Sequence, residues 1–230
     1  MLKHILTSAV FAGIAAGVFA ATINLWAVIP MVMEGELYES GDRVHFATDG
    51  SPQSDAGSPS IFGEPSRHIM PAAFSIVTFT GYAFLMIAGI ALAERYGHRL
   101  SLRQGLIWGL CGFITFQLAP AMGMPPQLPA TPGPEVESRQ LWWALTVICT
   151  AIALGLIAFG KSVLMFVIAG ALLFAPHVIG APRLDTYFGF AAPELAAHFA
   201  GASLAATGLT WSVLGLACAW FWLRLQRESV

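Results

Sequence analysis

Charged residues are scarce in this sequence: only 10% of its 230 residues are Asp, Glu, Lys or Arg. A soluble domain has roughly a quarter of its residues charged, so the composition excludes an ordinary water-exposed surface. Hydrophobic residues make up 57% of the chain, and the mean hydropathy is +0.70. These values are typical of a protein surrounded by membrane lipid.

Cysteine is also scarce, with only Cys111, Cys149 and Cys218, each inside an apolar run. So few thiols in such positions argue against a disulfide framework and favour buried apolar side chains. No nucleic-acid partner and no organic cofactor is expected.

Six apolar runs approach the length of about 20 residues that a membrane-crossing helix needs. They span residues 5–33, 72–93, 105–122, 141–160, 162–179 and 199–223. None has a charged residue at its centre, and none alternates polar and apolar residues as barrel strands do. Because backbone amides in lipid must be paired within the segment, the sequence predicts an all-α bundle of six transmembrane helices. One integral membrane domain, residues 1–230, accounts for the chain.

Small residues four positions apart predict where helices approach closely, as in Gly13 with Gly17 and Gly105 with Gly109. Residues 34–71 are rich in Glu, Asp, Ser, Gly and Pro and are predicted to form an external loop.

The first run also has features of a signal peptide, because Lys3 precedes it and Val18-Phe19-Ala20 resembles a cleavage site. The apolar run continues past Ala20 without interruption. A retained first helix is therefore preferred, and cleavage is the alternative.

The positions of basic residues predict the orientation. Seven lie at the termini or in the connections after the second and fourth runs, and four lie in the other connections. Since basic residues concentrate on the cytoplasmic side, both termini are predicted to be cytoplasmic. Eleven of the thirteen acids then lie outside, and an acidic outer face attracts cations.

One formal motif match points to a different function, nucleotide binding. Gly155, Gly160, Lys161 and Ser162 satisfy the spacing of a phosphate-binding loop. That loop requires a preceding strand, whereas the residues before Gly160 end an apolar run. Lys161 is therefore predicted to lie in a tight turn between helices, and no nucleotide binding is expected.

Three runs end on the predicted outer side near a proline: Pro30, Pro120 and Pro176. A proline inside a helix removes a backbone donor, and the freed carbonyl is tolerated only against protein or a water-filled cavity. Three such breaks at one depth predict a shared vestibule.

Histidines and acids lie on the same predicted side. Imidazole and carboxylate ligands together suit divalent first-row ions. Alternatively, the loop histidines are solvated surface residues and His177 only caps a broken helix. If Met31, Met33, Met122 and Met124 were the ligands, their thioethers would favour copper(I).

Several stretches resemble the predicted cobalt transporter subunit CbtA family over nearly the whole chain. They are Leu118-Ala119-Pro120, Pro125-Pro126-Gln127-Leu128-Pro129, Arg139-Gln140-Leu141-Trp142-Trp143, Ala175-Pro176-His177-Val178-Ile179-Gly180-Ala181-Pro182 and Pro193-Glu194-Leu195. The resemblance implies a multi-pass protein of the bacterial inner membrane that acts in cobalt uptake and the cobalamin pathway. It also implies a small single-span partner, CbtB, with a histidine-rich end.

We therefore expect a component that captures a transition metal at the outer mouth and passes it across the bilayer. Cobalt is the expected transported ion, and nickel is chemically close to it. The expected metal ligands are His177, Glu34, Glu39, Glu194, His45 and His68.

Two other classes of protein compete with a metal carrier. A non-transporting structural or assembly subunit would use Trp142, Trp143, Trp220 and Trp222 as interfacial anchors. A membrane-embedded enzyme is disfavoured, because the runs contain no apposed acid, base and nucleophile. A proton-coupled exchanger is disfavoured as well, since no ionisable residue lies at mid-membrane.

Overall fold

The computed structural model describes residues 2–44, 60, 63, 66–186 and 188–227. These residues form helices joined by turns and irregular segments and contain no strand, so the predicted all-α class is confirmed. The helices are α1 (Leu2–Ala27), α2 (Ile29–Ser40), α3 (Ser66–Arg95), α4 (Leu102–Phe113), a π-helical segment (Ile114–Leu118), α5 (Ala119–Ala121), α6 (Val136–Phe159), α7 (Val163–Ile179) and α8 (Pro193–Arg227).

Four helices, α1, α3, α6 and α8, are long and apolar enough to cross a membrane, judged by length and composition. Helix α7 is a shorter apolar helix of 17 residues. The third predicted run, 105–122, lies almost entirely within the consecutive helical segments α4, the π-helical segment and α5.

The first predicted run, 5–33, is divided between two helices. Helix α1 ends at Ala27 and α2 begins at Ile29, one residue before Pro30. Proline has no N–H to donate to the carbonyl four residues earlier, but it is tolerated in the first turn of a new helix. Pro30 therefore accounts for the interruption at Val28.

Helix α2 continues to Ser40 and α3 begins at Ser66, so residues 34–40 and 66–71 are helical, although the sequence predicts a loop over 34–71. Met31, Gly35 and Tyr38 are buried on one face of α2. Leu128 packs against Gly35, where an added Cβ would approach it to 3.3 Å. This burial stabilises helical structure in a segment that also contains three acids.

Contacts between residues divide the chain into two compact units. The first unit comprises Met1–Pro30, Ser60–Phe113 and Ala205–Val230, and the second comprises Met31–Pro59 and Ile114–Leu204. The single membrane domain stays a prediction.

In the first unit, α1 packs closely against α3. A Cβ added at Gly13 would collide with the backbone of Thr80, and one added at Gly17 would collide with that of Ile76. Between these glycines and around them, Ala12, Ala16 and other small residues are fully buried. The predicted glycine contact is therefore confirmed for α1.

Helix α4 makes an equally close contact with α8. Gly105 and Gly109 lie against Gly215, Ala219 and the backbone of Trp211, leaving no room for a Cβ. The Trp211 ring is buried and packs on Tyr82, with ring centroids 4.7 Å apart. Glycines on both helices thus allow the backbones to approach and the indole to be enclosed.

In the second unit, α6 and α7 form a helical hairpin. Gly160, Lys161 and Ser162 connect them, and the Ser162 side chain accepts a hydrogen bond from the N–H of Met165 at the start of α7. The predicted tight turn at Lys161 is confirmed. A helix, α6, precedes Gly160 where a phosphate-binding loop would need a strand.

The π-helical segment comes directly before α5, whose second residue is Pro120. In an α-helix the ring of Pro120 would clash with the carbonyl of Phe116, four residues earlier. A π-helical turn is one of the distortions that relieve such a clash, which explains why the helix widens at Ile114–Leu118.

The substitution Gly109→Ala is expected to reduce the free energy of unfolding by about 1 to 3 kcal/mol, because the added methyl group overfills the α4–α8 contact. Thermal unfolding of the detergent-purified protein would measure this. The matched control is Gly155→Ala on α6, where no atom lies within 4 Å of an added Cβ; it should be neutral or stabilising by up to about 1 kcal/mol. Equal effects of the two substitutions would contradict the close contact.

Candidate functional site

Pro176 lies inside α7, four residues before the helix is terminated by Gly180. It has no N–H to donate to the carbonyl of Leu172. The helix nevertheless continues to Ile179, and the N–H of Gly180 donates to the Pro176 carbonyl at 3.0 Å. Gly180 has a φ of +89°, which favours glycine at this helix end.

Trp142 of α6 donates a second hydrogen bond to the same carbonyl, from Nε1 to the Pro176 oxygen at 3.0 Å. The indole is buried, with 5% of its surface exposed. Trp142 is therefore not the interfacial anchor that the structural-subunit alternative assumes, whereas its neighbour Trp143 is 38% exposed.

His177 is half-buried and contacts the ring of Trp142 edge to face, with ring centroids 5.9 Å apart and an interplanar angle of 70°. This geometry is favourable for aromatic pairs. The hydrogen bond to Pro176 holds the indole, and the indole in turn limits where the imidazole can lie.

A third segment packs on the same indole. A Cβ added at Gly123 would lie 2.6 Å from the ring of Trp142 and 2.8 Å from the Cβ of Ala181. Gly123 follows α5, and its N–H donates to the Pro120 carbonyl. The structure thus brings together the segment that follows Pro120 and the helix that contains Pro176. Pro30 belongs to the first unit. We refer to Gly123, Trp142, Pro176, His177 and Ala181 as the Trp142 cluster.

Glu34, a second predicted ligand, forms an ion pair and hydrogen bond with Arg43. Gly41, with a φ of +83°, turns the chain after α2 so that Arg43 folds back along the helix. The guanidinium also lies 5.9 Å from the ring centroid of Tyr38, and only 12% of the Arg43 side chain is exposed. The Glu34 carboxylate is therefore neutralised by a neighbouring cation.

The other predicted ligands lie at separate positions. Glu39 is exposed on α2, and Glu194 is exposed in the first turn of α8. His68 is half-buried on α3 in the first unit, and His45 lies outside the described residues.

Within the described part of the chain, no three His, Cys, Asp or Glu side chains form a group that could hold a metal ion. The ligand set stays a prediction. Sequence reasoning missed Arg43. A signal for it is present in the sequence, because a glycine that permits a turn stands between the acid-rich segment of α2 and this arginine.

A chain built from helices, four of them with the length and apolar composition of membrane-spanning segments, has the features of a membrane protein. A family model described as "Probable cobalt transporter subunit (CbtA)" matches residues 2–223, which is nearly the whole chain. The chain therefore belongs to the CbtA family, and the resemblance noted in its sequence is confirmed. Neither the curated proteins nor the solved structures include a match to it.

The substitution Trp142→Phe should lower the free energy of unfolding by about 1 kcal/mol, because it removes the buried hydrogen bond to Pro176 while keeping an aromatic ring. Thermal unfolding would measure the change. Trp143→Phe is the matched control, since that indole is 38% exposed and contacts the ring of Phe116. A larger effect at Trp143 than at Trp142 would contradict the role of the buried indole.

Proposed function

We propose that this chain is the membrane component of a cobalt uptake system in the bacterial inner membrane. It captures the ion at the outer mouth and passes it across the bilayer, and cobalt is its substrate and not a resident cofactor. Membership of the CbtA family supports the class of ion and the process. We propose no enzymatic activity.

The proposed arrangement has six spans with both termini in the cytoplasm. Two observations support six spans in addition to the four long apolar helices. Residues 102–121 are helical throughout, which is about the length of a span, and α7 adds 17 apolar residues after a turn of three. The seven basic residues grouped at the termini and two of the connections support the orientation.

The proposed capture site is centred on His177. The observation that carries this proposal is the Trp142 cluster, in which the imidazole lies beside a proline-containing stretch of helix and against a hydrogen-bonded indole. A neutral imidazole nitrogen is a favoured ligand for cobalt and related ions. The carbonyl of Leu172, which Pro176 cannot bond, offers an oxygen one turn away.

The remaining proposed ligands are carboxylates and imidazoles on separate segments of the chain: Glu34, Glu39, Glu194, His45 and His68. A site assembled from separate segments would bind the ion weakly enough to release it. The description of the family as a transporter subunit implies partner subunits. We propose that the partner is a small single-span protein similar to CbtB, whose histidine-rich end exchanges the ion with His177.

The proposal predicts saturable binding of cobalt by the detergent-purified protein in a calorimetric titration. His177→Ala should weaken the binding by at least about tenfold, or roughly 1.4 kcal/mol, because it removes the central nitrogen ligand. His198→Ala is the matched control, since this histidine is exposed on α8 and is not a proposed ligand. Equal losses in both variants, or unchanged binding in His177→Ala, would contradict the site.

A structural or assembly subunit is the second candidate, and the ion pair between Glu34 and Arg43 is the observation that favours it. A carboxylate that is held by a largely buried guanidinium can have a purely structural role, which here is to fix the turn after α2. The two candidates differ in what the removal of Arg43 does to metal binding.

If Glu34 is a ligand, Arg43→Gln should strengthen cobalt binding by up to about fivefold, because the competing ion pair contributes about 1 kcal/mol or less. The same titration would measure the change. The control is Arg139→Gln, which removes a cation from the first turns of α6. Cobalt binding that is unchanged in Arg43→Gln and in Glu34→Gln would favour the structural role.

A further inference from the structure

The ends of three long helices in the first unit line a cavity of about 390 Å³. His4 lies in the first turn of α1, and Glu94 and Arg95 are the last two residues of α3. Trp222 and Gln226 lie in the last two turns of α8, and Ala91 completes the lining. This cavity is separate from the Trp142 cluster, which belongs to the second unit.

The Glu94 carboxylate is held in a fixed position. Trp222 donates from Nε1 to the Glu94 Oε2 atom at 2.9 Å, and Gln226 donates from Nε2 to the same oxygen, also at 2.9 Å. Trp222 is buried, with 3% of its surface exposed. Since both donors bond Oε2, the second oxygen, Oε1, keeps its capacity to accept hydrogen bonds.

The location of Glu94 is unfavourable without a cationic partner. It lies in the last turn of α3, where the helix dipole disfavours a negative charge. Helix α8 ends at the same cavity, so a second set of unpaired carbonyls faces this region. Arg95 on α3 and Arg224 and Arg227 on α8 already offset the two helix ends. A ligand that carries an ammonium group would therefore pair with the Glu94 carboxylate itself.

Groups that can bind an anion line another part of the cavity. The guanidinium of Arg95 and the imidazole of His4 both contribute to the lining, and His4 belongs to a helix N-terminus, where backbone N–H groups are unpaired. A phosphate is the anion that guanidinium and N–H groups bind best. Arg95 at the same time disfavours a bare divalent metal ion, which it would repel.

The cavity therefore matches a ligand with an ammonium group and a phosphate a short distance apart. Its volume would hold about a dozen water-sized groups of about 30 Å³ each, more than a phosphoethanolamine group requires. Helices α1, α3 and α8 are all long enough to cross a membrane, so their ends lie at the depth of lipid headgroups.

We propose that this cavity binds the headgroup of phosphatidylethanolamine. The ammonium donates to Oε1 of Glu94, and the phosphate accepts from Arg95 and His4. The bound lipid joins the ends of α1, α3 and α8. This site is independent of metal capture at His177.

Native mass spectrometry of the full chain, purified in detergent and titrated with lipids of identical acyl chains, tests the proposal. Phosphatidylethanolamine should bind about tenfold more tightly than phosphatidylcholine, whose quaternary ammonium has no N–H to donate to a carboxylate. Phosphatidylglycerol, which lacks the ammonium, should also bind more weakly than phosphatidylethanolamine.

Glu94→Gln should reduce phosphatidylethanolamine binding to the level of phosphatidylcholine, while Arg95→Gln should weaken both lipids. Glu137→Gln and Arg103→Gln are the matched controls, because both residues are exposed in the first turn of another helix. Arg95 is exposed, so its substitution tests the phosphate contact even if Glu94→Gln does not fold.

Equal binding of phosphatidylethanolamine and phosphatidylcholine by the wild type would overturn the proposal. So would a preference for phosphatidylethanolamine that survives Glu94→Gln, or tighter binding of phosphatidylglycerol. Cobalt chloride is titrated in parallel: saturable cobalt binding that Glu94→Gln abolishes, without any lipid preference, would assign the cavity to a cation instead.

Discussion

Hydrocarbon offers no hydrogen-bond partner to a backbone amide or carbonyl, so each such group within a membrane must be paired inside the protein. Helices without an internal proline meet this constraint by themselves, and α1, α6 and α8 are of that kind, whereas α3 has Pro71 in its second turn. Each proline breaks the pattern and needs a local solution. At Pro30 a new helix begins, before Pro120 the helix widens to a π-helical turn, and Pro176 remains inside α7, where its own carbonyl accepts from Gly180 and Trp142.

The solution at Pro176 also produces a defined polar arrangement in the second unit. A buried indole bonds to the proline carbonyl and contacts His177, so the geometry of an irregular helix determines where an imidazole lies. The chemistry and the fold are coupled here, because Pro176 cannot donate to the carbonyl of Leu172 and the imidazole lies beside this irregularity of the helix. This coupling is the physical basis of our proposal that His177 captures the metal ion in this member of a family of probable cobalt transporter subunits.

Hydropathy alone predicts the helical class and the approximate positions of α3, α6, α7 and α8, because apolar side chains are what lipid requires. It places the end of the first helical region too early, at Met33. Helix α2 continues to Ser40 with Gly35 and Tyr38 buried, although acids are interspersed among its buried residues. A hydropathy average over so many acids indicates a loop, because it does not register the burial of single side chains. The pairing of Glu34 with Arg43 and the bond from Trp142 to a carbonyl 34 residues away depend on how segments fold back on one another. No local pattern encodes such contacts, although the proline and histidine of the site are visible in the sequence.

The central claim, that this chain carries cobalt across a bilayer, is tested most directly by uptake of radioactive cobalt into vesicles that contain the purified protein. The chain is reconstituted alone and together with the proposed single-span partner, and protein-free vesicles set the background. The account predicts time-dependent accumulation above that background, reduced in His177→Ala and retained in His198→Ala. Accumulation no greater than in protein-free vesicles, both with and without the partner, would contradict it.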